Sequence, residues 1–295
     1  MTTVSRRSAL ALGIAAATLL AACNTDSTSN GTGKLTLDIT DAPVDDAREV
    51  KVTFTGITLK HESGSPERHD FAEPRTIDLL ALQGDASDSL LDSEDVRAGR
   101  YDWIRLHVEA ERDTIDSWIM IGDNQHSLYV PSGAQTGLKL VSGFEVPVNG
   151  SASFTIDFDL RKSLVKPQSG ENYFLKPALR LIDNSEIGHI AGTVDDSLYC
   201  ENQGNAVYVF DGHDADPVDI NTAREDNPIT TANVVYDDDS TDYRFKVGFL
   251  TEGDYTLAFT CDAGDDDPEA DDTLDFSATL NTSVTAGETT DVTLE

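Results

Sequence analysis

From Lys34 to the last residues of the chain, apolar side chains recur at every second position, and that period of two restricts the chain to half-buried β-strands. Leu35, Leu37 and Ile39 share one face, with Thr36 and Asp38 on the other. Val50, Val52 and Phe54 repeat the pattern, as do Ile104, Leu106 and Val108, and Phe154, Ile156 and Phe158. Helical periodicity is weak outside residues 9–20, and Ile77 to Leu82 with Leu90-Leu91 reads as a short helix or turn beneath a sheet. Asp41-Ala42-Pro43, Ala98-Gly99-Arg100, Pro131-Ser132-Gly133 and Val148-Asn149-Gly150 supply the residues that reverse a backbone between strands. Regular strands separated by such turns predict an all-β chain of antiparallel sandwiches, not a parallel sheet covered by helices.

The alternation stops at Leu181-Ile182-Asp183-Asn184-Ser185 and restarts at His189. His189–Val194, Ala206–Phe210, Tyr243–Val247, Tyr255–Phe259, Phe276–Leu280, Thr282–Thr285 and Thr289–Leu294 are strand-sized, enough for a second sandwich. The expected organisation is therefore two antiparallel β-sandwiches in tandem, residues 34–185 and 188–295. Charge divides at the same place: residues 34–187 hold 27 acidic and 16 basic side chains, whereas residues 188–295 hold 26 acidic and 3 basic. A formal net charge of −33 repels nucleic acid and anionic headgroups, so no nucleic-acid partner is expected.

Residues 1–22 carry the order of a secretory leader: Arg6-Arg7, an apolar run from Ala9 to Leu20, then small residues before Cys23. Leu20-Ala21-Ala22-Cys23 resembles the lipobox of bacterial lipoprotein precursors, which implies cleavage before Cys23 and lipid attachment to it. The apolar run is too short to span a bilayer. Two or three acyl chains at Cys23 would anchor the protein to a membrane. Ser5-Arg6-Arg7 loosely resembles a twin-arginine signal, and general secretion stays equally open. Residues 23–33, rich in Ser, Thr, Asn and Gly, read as the lipidated cysteine and a flexible tether. Asn24 resembles the residue found after the cysteine in lipoproteins sorted to the outer membrane of Gram-negative bacteria.

Cys200 and Cys261 are the other two cysteines, and an isolated pair in an exported chain is expected to form a disulfide. No His lies at metal-ligand spacing from either one.

Seven blocks resemble the bacterial lipoprotein family known as domain of unknown function family 4382. They are Leu37 to Asp46, Val52 to Ile57, Ile77 to Gly84, Ala98 to Leu106, Gly137 to Val141, Asp157 to Ser163 and Leu175 to Arg180. They cover nearly all of residues 34–183, and the family implies no activity. Gly188 to Val194, Gly204 to Val209, Glu252 to Leu257 and Val284 to Val292 resemble carboxypeptidase regulatory-like modules, which implies a transthyretin-like sandwich; the Asp-rich stretch after Cys261 departs from that pattern.

No catalytic constellation assembles from the motifs. Glu62-Ser63-Gly64-Ser65 and Leu140-Val141-Ser142-Gly143 lack the nucleophile-elbow frame, and His61, His69, His107, His126, His189 and His213 lack the i, i+4 spacing of a zinc hydrolase. Asp38, Asp41, Asp45 and Asp46 crowd one segment and are read as turn-forming rather than acid/base groups. Asp157 and Asp159 are expected outside a core made by Phe154, Ile156 and Phe158. Asp237-Asp238-Asp239 and the run from Asp262 to Asp272 could wrap calcium, though neither has the EF-hand spacing, and solvated acidic loops are the reading adopted. Trp103 and Trp118 are candidate sugar-stacking residues, with Trp103 expected to be partly buried. Together these features predict a non-enzymatic, lipid-anchored envelope protein with no cofactor, calcium at the acidic loops being the open alternative. It would act as a binding, adhesion or structural module whose partner is an envelope protein or a glycan. The alternatives are an envelope hydrolase or carbohydrate-active accessory protein, and a calcium-stabilised module.

Overall fold

The computed structural model describes residues 31–42, 47–131, 137–165, 172–176, 178–201 and 203–295. The leader, Cys23, most of the tether, Asp45 and Asp46 lie outside them. The first strands are β1 (Thr32–Ala42), β2 (Glu49–His61), β3 (Glu67–Asp78), β4 (Asp88–Arg97), β5 (Gly99–Glu109), β6 (Trp118–Ile121) and β7 (Asn124–Tyr129). They are followed by β8 (Leu138–Leu140), β9 (Phe144–Val146), β10 (Ser151–Asp159), the single helical turn α1 (Leu160–Ser163), β11 (Leu164–Val165), β12 (Tyr173–Leu175) and β13 (Leu179–Asp183). One sheet runs β13-β10-β1-β4; the other runs β11-β12-β7-β6-β2-β5-β8, with β3 on β2 and β9 on β5.

Alternation sends one face of each sheet into a common core. Leu37 and Ile39 of β1 and Ile156 and Phe158 of β10 meet Phe54, Ile57, Ile104 and Leu106 of β2 and β5, each at most 1% exposed. Burying each such side chain stabilises the fold by about 1.5–3 kcal/mol. The expected helix or turn at Ile77–Leu82 is the end of β3 followed by a 3₁₀ turn, Leu79–Leu82, whose Leu79 and Leu82 plug the core. Leu90 and Leu91 belong instead to β4. Between β4 and β5 the chain reverses at Gly99, whose φ of +125° suits glycine, and a Cβ there would sit 2.7 Å from His61 Nε2.

Eight strands follow: β14 (Ile187–Val194), β15 (Ala206–Asp211), β16 (Thr230–Asn233), β17 (Val235–Asp237), β18 (Asp242–Thr251), β19 (Gly253–Thr260), β20 (Phe276–Val284) and β21 (Thr289–Leu294). Their sheets run β17-β18-β14-β21 and β16-β15-β19-β20, around Ile190, Val207, Val209, Leu250, Leu257 and Phe259. The chain is thus all-β in antiparallel-rich sheets. Three pairs are nevertheless parallel, β1 with β10, β12 with β7 and β14 with β21, because a late strand returns beside an earlier one after a long connection. Two sequence expectations change. Phe276–Leu280 and Thr282–Thr285 are one strand, because Asn281 stays in register with Thr256 and its side chain bonds Asp214 and Thr256. β16 and β17 had no alternating signal, being four and three residues long.

The outer face of β15 and β19 is covered as well. Ala206, Tyr208, Phe210 and Ala258 pack against Ile220 and Ala263, which sit in the two acidic loops of residues 212–229 and 261–275. Those loops are therefore lids over an apolar layer.

Candidate functional site

The acidic lids and α1 meet at one place. α1 begins where Asp159 accepts the Lys162 N–H at 3.1 Å, and the buried Asp41 carboxylate accepts the Leu160 N–H at 3.2 Å, tying β1 to the end of β10. That turn aims Arg161 and Lys162 away from their own core and into the strands that follow residue 187. Arg161 is 4% exposed; its Nε donates to Thr231 Oγ1 (3.2 Å), Nη1 to the Ala263 carbonyl (2.7 Å) and Nη2 to Asn233 Oδ1 (3.2 Å). Lys162 Nζ bridges Asp159 Oδ2 (2.7 Å) and the Pro228 carbonyl (2.7 Å). Lys176 pairs with Glu269, and Lys246 Nζ returns the contact to Asp85 Oδ2 at 2.5 Å. Charged side chains from both halves thus tie the two together: Arg161 and Lys162 cap carbonyls and polar groups of the second half, and the ion pairs Lys176–Glu269 and Lys246–Asp85 cross in opposite directions.

Next to Arg161, the Tyr208 hydroxyl donates to Asp266 Oδ2 at 2.6 Å, and the Ile220 N–H donates to the same oxygen at 3.3 Å. Asp266 Oδ1 is buried with no hydrogen-bond partner, and burial holds the Asp266 carboxyl above its usual pKa against the opposing pull of the Tyr208 bond. Asp219, Asp266 and Asp272 bring one oxygen each within 4.8 Å of one another. Asp219 is already engaged: Oδ1 accepts from Arg224 Nη1 at 3.0 Å and Oδ2 from the Asp272 N–H at 2.8 Å. Arg224 also grips Asp226 with two bonds of 2.9 Å, and these bonds raise its pKa. With one oxygen each, the three carboxylates supply half or less of the six to eight oxygens that calcium takes, and Arg224 already offsets part of their charge.

Elsewhere the acidic clusters are engaged in turns and a loop closure. Asp237 Oδ1 accepts the Asp239 N–H and its Oδ2 the Ser240 hydroxyl, and Asp267 accepts the Glu269 N–H, all local turn bonds, whereas Asp262 accepts the Asp275 N–H across the loop. Asp41 accepts a backbone N–H from a residue 119 positions away, and residues 43–46 of its own turn lie outside the described residues. Asp38 is half-buried on β1, and burial raises its pKa. Asp157 and Asp159 correct an expectation: Phe154, Ile156 and Phe158 are buried, and so are both aspartates, at 4% and 8% exposure. Arg180 pairs with Asp157 at 2.6 Å and Lys162 with Asp159, so the cost of burying charge is met by partners that period-two reasoning could not see.

Cys200 and Cys261 are joined, with a Cα–Cα distance of 5.9 Å across 61 residues, beside the buried Asn205 whose amide bonds the Cys200 backbone on both sides. Trp103 is half-buried on β5 with the Arg105 guanidinium 5.1 Å and Lys139 Nζ 4.7 Å from its ring centre; Trp118 carries Lys51 at 5.7 Å. Sequence reasoning missed Arg161, Asp219 and Arg224. The first had a signal, two adjacent cations inside the Asp157 to Ser163 block; a lone Asp219 in a loop had none. An open cleft of about 390 Å³ runs between Gln83-Gly84 and the strands carrying Gly192, Val235 and Phe245. Among the described residues no helix is long and apolar enough to cross a membrane.

Residues 32–177 match the family described as Domain of unknown function (DUF4382), in agreement with the seven blocks read from the sequence of the first unit. No curated protein matches the chain. Among solved structures, the Bacillus anthracis TIE protein is 12% identical over 89% of this chain and 34% of its own, with a TM-score of 0.21. A leucine-rich repeat protein from Bacteroides thetaiotaomicron is 12% identical over 89% of this chain and 26% of its own (TM-score 0.22). GBS52, the minor pilin of Streptococcus agalactiae, is 10% identical over 88% and 93% (TM-score 0.20). The chain therefore spans about a third or less of the first two, and TM-scores of this size establish no common fold.

Proposed function

We propose that this protein is a lipid-anchored component of a bacterial cell envelope that works as a non-enzymatic binding, adhesion or structural module, held at the outer membrane through Cys23. The observation that carries this reading is the use made of the buried carboxylates. Asp41, Asp157, Asp159 and Asp219 each hold a backbone N–H or a cation that fixes one segment to another, and the buried Arg161 joins the two sandwiches. Such a body is suited to presenting surfaces at the end of a tether, and lipid anchoring requires no chemistry of it. Palmitate labelling of wild type and Cys23→Ala, followed by glycan and cell-surface binding with a parallel hydrolase panel, tests the reading. Label lost in Cys23→Ala together with saturable binding and no turnover supports it. Turnover by purified protein, or unlabelled wild type, overturns it.

A second reading, a calcium-stabilised module, is favoured by Asp219, Asp266 and Asp272 lying within 4.8 Å and by the unbonded Asp266 Oδ1. A cation there would be held by these three carboxylates, with Arg224 displaced from Asp219.

A further inference from the structure

One face of the β2–β5 sheet runs against the charge of the whole chain. Thr58 on β2 stands opposite Arg68 on β3 and Arg105 on β5, and Arg105 stands opposite Lys139 on β8. Residues directly opposite across a sheet share a face, so Arg68, Thr58, Arg105 and Lys139 form one row across four strands, spanning roughly 14 Å at the usual strand spacing. Two positions along, Lys60 stands opposite Trp103, and the Trp103 ring carries both Arg105 and Lys139 within 5.1 Å. His107 joins the patch with Nε2 2.7 Å from Thr58 Oγ1 and Nδ1 3.3 Å from Arg68.

Like charges placed opposite each other destabilise a sheet. With 54 acidic residues against 21 basic, this chain nevertheless sets Arg105 beside Lys139. Arg68 is answered by Asp70 at 2.5 Å and Lys60 by Asp102 at 3.9 Å. No carboxylate of the described residues lies within ion-pair distance of Arg105 or Lys139, and Arg105 Nε is buried without a hydrogen-bond partner.

We infer that this face is a binding site for an acidic polysaccharide, with Arg105 and Lys139 pairing with a uronate carboxylate and the Trp103 indole flanking the sugar ring. The row extends across four strands, which suits a linear polymer, and Arg offers a planar fork that matches a carboxylate. The −33 charge of the chain repels densely charged polyanions at long range, which favours a ligand whose charges are spaced by sugar rings and whose ring faces add apolar contact. This deepens the reading of the protein as a binding module and rests on it.

Titration of the full chain with uronate hexamers, followed by the fluorescence of Trp103 in a Trp118→Phe background, tests the assignment. The expected result is saturable quenching or enhancement that weakens with salt, is absent with a neutral glucan hexamer, and loses at least tenfold in affinity in Arg105→Gln/Lys139→Gln. Arg105→Lys should recover part of that loss. Arg105→Gln/Lys139→Gln must keep the wild-type melting temperature within a few degrees; if it does not, Lys139→Gln alone, at an exposed position, carries the comparison with an expected loss of at least threefold. No uronate binding, equal binding of the neutral hexamer, or unchanged affinity in these variants overturns the site, as does binding to anionic phospholipid vesicles without binding to uronates. Binding to cell surfaces that persists after such a result would leave the module reading standing and remove only this site.

Discussion

The Arg161 guanidinium lies 5.9 Å from the centre of the Tyr208 ring, a side chain from one sandwich placed against the sheet of the next. Because Arg161 also donates to Thr231, Ala263 and Asn233, truncating it leaves buried acceptors without donors. Arg161→Ala should therefore cost about 3 kcal/mol or more and separate one unfolding transition into two. Urea denaturation followed by tryptophan fluorescence, which reports only residues 103 and 118, and by far-UV circular dichroism, which reports both sandwiches, would show whether the midpoints diverge. Coincident midpoints in the variant would refute the coupling.

Gly248 gives a second handle on the same junction. A Cβ at Gly248 would sit 2.1 Å from the Gly84 carbonyl oxygen and 3.0 Å from Asp85 Cα, backbone atoms that cannot rotate away. Gly248→Ala should destabilise the protein by about 1–3 kcal/mol and weaken the neighbouring Lys246–Asp85 pair. The check is a thermal melt of Gly248→Ala beside Gly287→Ala: Gly287 has open space but a φ of +78°, so it measures backbone strain without a clash.

The Cys200–Cys261 bond closes a loop across 61 residues. In the chain-entropy account it stabilises the fold by about 4 kcal/mol, and Cys200→Ala/Cys261→Ala should lose about 2–5 kcal/mol. Because only the second sandwich is cross-linked, reduction should lower its transition and leave Trp103 and Trp118 reporting a smaller change. Denaturation with and without reductant would measure both effects.

Asp266 predicts a pH dependence. Its native pKa is raised above the ordinary aspartate value of 3.8 by burial, so between 3.8 and that raised value the native state binds more protons than the unfolded state. Stability contributed by this group accordingly falls as pH rises through that window. Asp266→Asn keeps an acceptor for Tyr208 and Ile220 without the charge, and its stability advantage over wild type should be smallest below pH 4 and grow toward neutrality. A gap that stays constant with pH would contradict this origin.

If the same carboxylates hold calcium, the ion adds stability with the logarithm of its excess, about 2.7 kcal/mol at a hundred times Kd. The melting temperature should rise with calcium, fall in chelator, and stop responding in Asp272→Asn. No calcium shift in wild type would dismiss the second reading and leave Arg224 as the cation that Asp219 answers.

Much of this was legible in the residues, and the gaps have physical causes. The period-two runs gave the long strands because side-chain direction alternates with every residue, and that holds before any packing is known. The same rule misplaced Asp157 and Asp159, since an outward position can be buried when a cation answers it, and neither Arg180 on the neighbouring strand nor Lys162 in the helical turn enters a period of two. Short strands such as β16 and β17 carry too few residues for a period to register.

The sequence by itself determined an all-β chain with two strand-rich halves, the pairing of its only two cysteines beyond residue 23, and the charge step near residue 187. These follow from covalent order, local periodicity and composition. Only the tertiary structure decided that Arg161 crosses into the second core, that Asp219 joins Asp266, and that Arg105, Lys139 and Trp103 share one face. Each of those depends on strand register and on loops folding back over a sheet, where the free energy lies in contacts between residues far apart in the chain.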